Sequence, residues 1–184
     1  VKPSQLNDAE TFYPLHALVC TSCWLVQLGE YATPEEIFAQ EYAYFSSFSD
    51  TWLRHARDYA EMMRQRLGLN GTSLVCEIAS NDGYLLKNFV AAGVPVLGVE
   101  PAANCAEAAM KIGVRSVVEF FGTRTAGELS TRYGHADLLH GNNVLPHVPD
   151  LNDFVEGMRV MLKPTGVITM EFPHLLQLVE QNQF

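Results

Sequence analysis

Two short runs decide the fold: Leu74-Val-Cys-Glu-Ile-Ala-Ser-Asn-Asp-Gly83 and Gly93-Val-Pro-Val-Leu-Gly-Val-Glu-Pro101. Each contains a β-rich apolar segment that is typical of a buried strand, and residues 84–92 between them have the pattern of a helix. A strand, a loop of small and polar residues, a helix and a second strand that ends in an acid form the first half of a nucleotide-binding α/β unit.

The residues of the loop indicate which ligand it binds. Gly83 is the single glycine where a dinucleotide site has three. Glu77 at the end of the first strand and Asp82 in the turn would repel a pyrophosphate, but they suit an ammonium or sulfonium group. Glu100 is placed to accept hydrogen bonds from both ribose hydroxyls. These features predict S-adenosylmethionine (SAM), and a plain α/β protein with a solvated polar loop is the alternative.

The same residues resemble the SAM motifs of the sugar C-methyltransferases. The matching segments, in the family's order along nearly the whole chain, are Glu77-Ile-Ala-Ser-Asn-Asp-Gly-Tyr-Leu-Leu86, Gly98-Val-Glu-Pro-Ala-Ala-Asn104, Glu41-Tyr-Ala-Tyr-Phe-Ser-Ser47, Gly141-Asn-Asn-Val-Leu-Pro-His-Val-Pro-Asp150 and Met170-Glu-Phe-Pro-His174. Members of that family methylate a carbon of nucleotide-activated deoxysugars, typically C3 of a dTDP-linked 4-keto sugar. The resemblance implies a methyltransferase of deoxysugar and antibiotic biosynthesis that acts through an enolate.

From residue 73 onward, strands and helices alternate, which implies parallel pairing with right-handed crossovers. The predicted strands are 74–78, 96–99, 116–118, 137–140 and 167–172, and the predicted helices are 84–92, 103–112, 125–133, 151–161 and one that begins at Leu175. Lys163-Pro-Thr-Gly166 is predicted to form a turn before the last strand. We expect residues 73–184 to form a Rossmann-like class I SAM methyltransferase sheet that is incomplete at its C-terminal end.

Residues 1–30 are expected to form a remnant of a zinc ribbon. Cys20-Thr-Ser-Cys23 is a CxxC knuckle between two β-rich segments, 13–20 and 24–28. A structural zinc site needs four ligands, so these two cysteines supply half of it. The resemblance implies Zn²⁺ in the full-length protein, with the other pair before Val1. His16 is a candidate third ligand, and a chance CxxC or a redox pair are the alternatives.

Residues 31–72 are expected to form an aromatic loop and a helical linker, with its main helix over residues 49–67. The aromatic run 42–48 either fills a gap between two domains or brings Tyr42 or Tyr44 to the sugar. The resemblance implies active-site tyrosines in this region.

Ten residues are predicted to bind the cofactor, and three of them, Ala79, Asn81 and Pro101, follow from the resembling motifs. The complete set is Glu77, Ala79, Asn81, Gly83, Glu100, Pro101, Phe120, Phe121, Asn142 and Asn143. Gly83 is expected to let the backbone approach the ligand. Phe120 or Phe121 would stack on the adenine, with ordinary core packing as the alternative. Asn142 and Asn143 would lie under the methyl donor or cap a turn.

His147 is predicted to act at the acceptor carbon. It lies in Val144-Leu-Pro-His-Val-Pro149, where two prolines restrict the loop after the fourth strand. A carbon beside a ketone must lose a proton before it can take a methyl group, so a general base is needed. The alternatives are that His147 bonds to backbone, or that it orients the keto oxygen while a downstream histidine takes the proton. His174 is a second candidate, whereas His55 and His135 are expected on the surface.

Composition excludes several classes of protein. With 48% hydrophobic residues and a formal net charge of −9, the chain is globular and unsuited to nucleic acid. Four cysteines without a disulfide framework and the lack of a long apolar span predict a cytoplasmic protein with no membrane partner. A dTDP-linked nucleotide sugar is the expected substrate, and a monomer is the expected state.

Two further functions stay open beside the C-methyltransferase. One is a non-catalytic module that binds SAM or a nucleotide, and the other is an O- or N-methyltransferase of the same fold. The chain is expected to be a fragment that binds SAM better than it turns over, because the resemblance implies a catalytic Tyr–His–Glu–His-like segment beyond Phe184.

Overall fold

The computed structural model describes residues 6–38 and 42–183; residues 1–5, 39–41 and 184, among them Glu41 of the aromatic motif, lie outside the described part. The chain divides into two compact units with the boundary between Ile37 and Phe38. The second unit groups the aromatic loop and the linker helix with the sheet, and the three-part division at residues 30 and 72 stays a prediction.

The first unit contains a small hairpin around the CxxC knuckle. Strands β1 (Ala17–Val19) and β2 (Val26–Leu28) pair antiparallel. They are shorter than predicted, because the chain turns back on itself between them: the Cys20 N–H donates to the Leu25 carbonyl and the Trp24 N–H to the Cys20 carbonyl, both at 2.9 Å.

Helix α1 (Pro34–Ile37) ends the first unit and begins with a capping box. Thr33 Oγ1 accepts the Glu36 N–H at 3.3 Å, and Glu36 Oε2 accepts the Thr33 N–H at 2.8 Å. Two otherwise unpaired backbone donors are thereby satisfied.

The second unit alternates strands and helices, as predicted. After a 3₁₀ turn (Ser46–Phe48), its elements are α2 (Asp50–Leu67), β3 (Val75–Ile78), α3 (Leu86–Ala91), β4 (Val96–Val99), α4 (Ala103–Lys111), β5 (Ser116–Val117), α5 (Thr123–Tyr133), β6 (Ala136–Asn142), a 3₁₀ turn (Leu145–His147), α6 (Leu151–Met161), β7 (Leu162–Glu171) and α7 (Leu175–Glu180).

Within residues 42–183, five strands form one parallel sheet in the order β5-β4-β3-β6-β7. The chain runs outward from β3 through β4 to β5 and then crosses back to β6. The order therefore reverses between β3 and β6, and in sheets of this kind ligands bind at the carboxyl ends of the strands beside that point.

Each face of the sheet is covered by its own apolar cluster. One cluster joins α2 and α3 to the sheet around Val75 and Leu138, with Phe89 fully buried. The other joins α5 and α6 to the opposite face around Leu139 and Phe154. Adjacent residues of one strand, such as Leu138 and Leu139, serve opposite faces, as the two-residue period of a strand requires.

Strand β7 is longer than predicted. Lys163-Pro-Thr-Gly166 was expected as a turn before it, but the strand already begins at Leu162. Ala136 pairs with Leu162, whereas Leu138 pairs with Val167, so the four residues 163–166 bulge out opposite one residue of β6. Lys163 Nζ closes the bulge on both carboxylate oxygens of Asp137, at 2.8 and 2.9 Å.

Helix α2 packs across the sheet next to β7. Its first turn is capped by Ser49 Oγ, which accepts the Trp52 N–H at 3.2 Å, and it ends at Gly68 with a φ of 64°. No helix in residues 6–38 and 42–183 has the length and apolar character of a membrane span.

Candidate cofactor and acceptor site

The turn from β3 into α3 has a left-handed backbone at three residues. Ala79, Asn81 and Gly83 have φ angles of 56°, 48° and 78°. Asparagine and glycine adopt this conformation readily, whereas alanine is strained there. The Ala79 N–H donates to the Val99 carbonyl at 2.8 Å, which ties the turn to β4.

Gly83 has a packing reason to be glycine. A Cβ at this position would lie 3.0 Å from Val114 Cγ2 and 3.1 Å from Ala109 Cβ, in a backbone conformation that L side chains rarely adopt. The missing side chain therefore makes room for the protein's own core. Its expected importance for the approach of a ligand stays a prediction.

Glu77 is fully buried in β3, and neither of its carboxylate oxygens has a hydrogen-bond partner among the described residues. The Tyr84 hydroxyl lies nearby and accepts a hydrogen bond from Asn142 Nδ2 at 2.8 Å. Burial raises the pKa of Glu77 well above its usual value, and the neighbouring Tyr84 hydroxyl offsets part of this rise. The charges of Glu100 and Asp82 raise that pKa further.

Glu100 is held in place by two backbone amides. Its Oε2 accepts the Asn81 N–H and its Oε1 the Ala102 N–H, both at 2.8 Å, and the residue is 4% exposed. Burial raises its pKa, while those two N–H groups lower it. Each oxygen can accept a further hydrogen bond, so the predicted ribose contacts remain chemically open. Pro101, half-buried, follows directly.

Buried atoms that need partners are concentrated around this turn. The unpaired buried side-chain atoms of the described residues are both carboxylate oxygens of Glu77, Ser80 Oγ, Asp82 Oδ1, Ser116 Oγ, His140 Nε2 and Asn142 Oδ1. Buried polar groups are nearly always paired, so such a set marks a place where a ligand or water belongs. Carboxylate and carboxamide oxygens predominate in it, and an ammonium group supplies three donors for such acceptors. The residues present therefore fit the methionine end of SAM.

The aromatic loop is held over this turn by hydrogen bonds to side chains of the turn and of α4. Asn81 Oδ1 accepts the Ser46 N–H at 2.9 Å and Asn81 Nδ2 donates to the Tyr44 carbonyl at 3.1 Å. Asn104 of α4 bonds the backbone of Tyr42 twice, at 2.8 and 3.1 Å. The side chain of Asn81 thus positions the loop, and direct contact between Asn81 and the cofactor stays a prediction.

The two predicted catalytic tyrosines have different surroundings. Tyr42 is partly buried, and its pKa is raised first by burial and then by the charge of Glu100. Tyr44 is 57% exposed. Tyr42 therefore belongs to the neighbourhood of Glu100, while Tyr44 is open to an incoming ligand.

The two phenylalanines after β5 are divided between surface and core. Phe121 contacts Phe154 edge-on with ring centroids 5.4 Å apart, and a Cβ at Gly157 would lie 3.1 Å from its ring. Phe120 is 39% exposed. The core position explains Phe121 by packing, so Phe120 is the candidate for stacking on the adenine.

The loop after β6 contains three predicted site residues. Asn142 faces Tyr84, as described above. Asn143 is exposed with a φ of 52°, and its N–H donates to the Glu171 carbonyl at 2.7 Å, so it serves the turn. His147 ends the 3₁₀ turn and is exposed, and its imidazole has no hydrogen-bond partner within the described parts of the chain. His174 caps α7 through a 3.4 Å contact from the Gln177 N–H.

Sequence reasoning missed His55, which was expected to be an unremarkable surface residue. Its Nε2 lies 2.8 Å from Glu171 Oε2, and its ring stacks on Trp52 with centroids 5.1 Å apart. Trp52 in turn stacks on Tyr84 at 6.0 Å. No local signal could have revealed the pair, because the two residues are 116 positions apart.

The CxxC knuckle, with Cys20 and Cys23, has the chemistry of half a zinc site. The backbone N–H groups of Cys23 and Ser22 lower the pKa of the Cys20 thiol, which favours the thiolate that binds metal. Residues 6–38 and 42–183 contain no group of three or more His, Cys, Asp and Glu side chains placed to hold a metal ion.

A parallel sheet of this order, with acids at two strand ends and unpaired acceptors between them, defines a Rossmann-like methyltransferase domain. Residues 52–183 match the family described as "Methyltransferase domain", and residues 1–38 match the one described as "Putative zinc binding domain". The chain therefore belongs to the methyltransferase domain family.

Among individual proteins, the chain is 35% identical over 175 residues to the C-methyltransferase NovU of Streptomyces niveus. The aligned region covers 95% of this chain and 41% of NovU, so the chain spans less than half the length of that curated relative. This relative confirms the predicted resemblance, and the family match of residues 1–38 confirms the expected zinc-binding domain.

Solved structures confirm the fold. The PH0226 protein of Pyrococcus horikoshii matches with a TM-score of 0.58 and 19% identity, over 76% of this chain and 62% of that one. An S-adenosylmethionine-dependent methyltransferase of Clostridium acetobutylicum matches with a TM-score of 0.56 and 14% identity, over 70% and 54%. These likenesses show the fold, and the match of residues 52–183 to the methyltransferase domain family confirms the predicted class of domain. The residues that hold the cofactor stay predictions.

Proposed function

We propose that the protein is a C-methyltransferase that acts on a dTDP-linked keto-deoxysugar and serves deoxysugar and antibiotic biosynthesis. The name of the relative NovU supports transfer to carbon. The sugar and its nucleotide rest on the resemblance of the sequence motifs. A cytoplasmic location and a monomeric state stay predictions.

One observation carries the proposal: the unpaired buried acceptors beside the reversal of strand order. Glu77 and Asp82 are buried acids with unpaired oxygens, and their mutual repulsion is relieved when a cation binds between them. When bound, SAM supplies an electrophilic methyl group on a sulfonium. Glu77 and Asp82 would hold the ammonium end of SAM, Glu100 would hold its ribose, and Phe120 would stack on its adenine. The backbone of Ala79 and Pro101 would line the pocket around the cofactor.

The acceptor side of the site lies at the carboxyl end of β6. Asn142 is the last residue of that strand, and His147 follows it in a proline-restricted turn. Tyr42 and Tyr44 belong to the aromatic loop, which is held by hydrogen bonds to the turn from β3 into α3 and to α4. These residues would orient the sugar and its keto oxygen, so that the carbon beside the ketone faces the methyl group once it has lost its proton.

The test uses the complete protein with SAM and a dTDP-linked 4-keto-6-deoxyhexose. We expect a product with one added methyl group that carbon NMR places on a ring carbon. The exposed Glu107→Gln variant should behave as the wild type. A methyl group on oxygen or nitrogen would favour the second enzyme class, and SAM binding without any product would favour the non-catalytic module.

A further inference from the structure

We propose that His140 is a positioning residue for the cofactor: its Nε2–H donates to the Glu77 carboxylate and fixes the orientation in which that carboxylate holds the ammonium group of SAM. The inference rests on the proposed function, in which Glu77 meets the methionine end of SAM. It adds a residue of β6, one strand away from the cofactor turn.

A row of small and polar residues crosses the whole sheet at one level. Backbone register pairs Ser116 of β5 with Gly98 of β4, and Gly98 with Glu77. The same row continues from Glu77 to His140, and from His140 to Thr169 of β7. Parallel strands that are covered on both faces normally carry apolar residues. The row therefore interrupts the core at every strand of the sheet.

Glu77 and His140 lie on the face that α2 and α3 cover. They follow Val75 and Leu138 of the apolar cluster on that face by two residues each, so their side chains share it. Neighbouring strands lie about 4.8 Å apart. Side chains that leave register partners on one face are therefore close enough to interact.

The His140 ring is held from β7 and from α2. Its Nδ1 lies 2.8 Å from Thr169 Oγ1, and the Tyr59 hydroxyl bonds the same oxygen. The Tyr59 ring covers the imidazole, with ring centroids 4.5 Å apart. The two nitrogens of an imidazole diverge, so Nε2 is directed away from β7, to the side on which β3 carries Glu77.

The two hydroxyls assign a proton to Nε2. Burial raises the pKa of Tyr59 to about 12, so its phenol keeps its proton at neutral pH. A phenol is a stronger donor than an aliphatic hydroxyl, so Tyr59 donates to Thr169 and Thr169 donates to Nδ1. Burial lowers the pKa of His140 to about 4, so the ring is neutral, and its one proton lies on Nε2.

His140 Nε2 and both carboxylate oxygens of Glu77 are buried without a partner among the described residues. Burial raises the pKa of Glu77, and a neutral carboxyl group is a weaker acceptor than a carboxylate. An ammonium group beside Glu77 favours the ionised form, whose remaining lone pairs then need donors. The bond from His140 therefore forms as the cofactor binds.

The test compares two ligands of the complete protein by calorimetric titration. S-adenosylhomocysteine has the amino-acid end of SAM, whereas methylthioadenosine has the same adenosine and thioether sulfur without that end. We expect Glu77→Gln to reduce the preference for S-adenosylhomocysteine about tenfold or more, and His140→Phe to reduce it about tenfold. The affinity for methylthioadenosine should stay close to that of the wild type in both variants.

The substitutions at His140 separate the donor from the packing. Phenylalanine keeps a ring under Tyr59 but has no donor. His140→Gln is the matched control, because its amide nitrogen can occupy the position of Nε2, and it should keep the wild-type preference. The double variant with Glu77→Gln and His140→Phe should lose no more than Glu77→Gln alone, since His140 acts through Glu77. Nitrogen NMR of the wild type should find the ring proton of His140 on Nε2.

An unchanged preference in His140→Phe would overturn the inference, as would a proton on Nδ1 or losses that add in the double variant. An equal loss of both ligands would also overturn it, because His140 would then act on the fold. These results leave the proposed function intact if Glu77→Gln loses the preference. If Glu77→Gln keeps it, the role of Glu77 in the proposed function is wrong, and the inference is wrong with it.

Discussion

Glu77 and His140 lie opposite each other on the neighbouring parallel strands β3 and β6, and each buries polar atoms without a partner among the described residues. Two such groups side by side in a core are costly, since an unpaired buried group loses its hydration without compensation. Such a pair marks a place where a ligand or water belongs.

We expect Glu77→Gln to stabilise the ligand-free protein. The folded-state pKa of Glu77 is raised by burial, so the contribution of Glu77 to wild-type stability is greatest below the unfolded value near 4.3 and falls as pH rises toward the folded value. The variant lacks this loss, and at pH 8 it should be more stable by about 0.5–2 kcal/mol. Urea unfolding between pH 4.5 and 8 measures the difference, with the exposed Glu107→Gln as control. Parallel curves for variant and wild type would contradict the prediction.

Glu100→Ala should weaken SAM binding roughly tenfold to a hundredfold, because a carboxylate that accepts two ribose hydroxyls contributes about 1.5–3 kcal/mol. The substitution also leaves the amides of Asn81 and Ala102 without their acceptor, so thermal stability should fall as well. Calorimetry with SAM, performed well below the melting temperature, separates the two effects. Equal affinity in variant and wild type would remove Glu100 from the cofactor site.

The pair Phe120→Ala and Phe121→Ala should separate binding from stability. Phe120 is exposed beside the expected adenine, and loss of a stacked ring costs about 1–3 kcal/mol of SAM affinity. Phe121 packs on Phe154, and its loss should lower the free energy of unfolding by about 3 kcal/mol while SAM affinity stays close to that of the wild type. The opposite pattern would mean that Phe121 meets the cofactor.

His147→Gln should leave SAM affinity within about twofold and reduce turnover on the order of a hundredfold, the effect of a misplaced acceptor. Proton exchange at the acceptor carbon, measured without SAM, should continue, because in the proposed function His147 orients the sugar and its keto oxygen. If exchange stops in His147→Gln, His147 is itself the base.

A polypeptide of residues 1–184 should contain far less than one zinc ion per molecule. Cys20 and Cys23 supply two thiolates, and a closed structural site needs four ligands. Metal analysis after purification gives the content, and Cys23→Ser should lower what remains while the buried Cys105→Ser should not. A stoichiometric ion that resists chelators would point to His16 or to a second molecule as a source of ligands.

Local sequence patterns correctly predicted those helices and strands whose ends are determined by residues nearby in sequence. Strand β4 and helix α6 have the predicted bounds, because their apolar spacing and their turn residues lie next to them in sequence. Strand β7 was predicted too short, since Pro164 and Gly166 are typical of a turn. The salt bridge from Lys163 to Asp137, which secures the bulge inside the strand, is long-range.

Residues of the candidate site could be predicted from the sequence only where the end of a single strand determines their surroundings. Glu77 and Glu100 follow from their strands, and the structure places both at the expected edge. Which of Phe120 and Phe121 packs in the core is decided by Phe154 of α6, and the partner of His55 is Glu171 at the end of β7. No spacing within one helix or strand contains that information.

The arrangement of α2 on β7 has a consequence for the order in which the molecule assembles during synthesis. The helix and the strands β3 to β5 leave the ribosome early and are joined by nearby contacts, whereas His55 meets Glu171 only across 116 positions. Contacts between distant residues form late, since a long loop must close first. We therefore expect a nascent chain to complete the turn from β3 into α3 before His55 of α2 meets Glu171 at the end of β7.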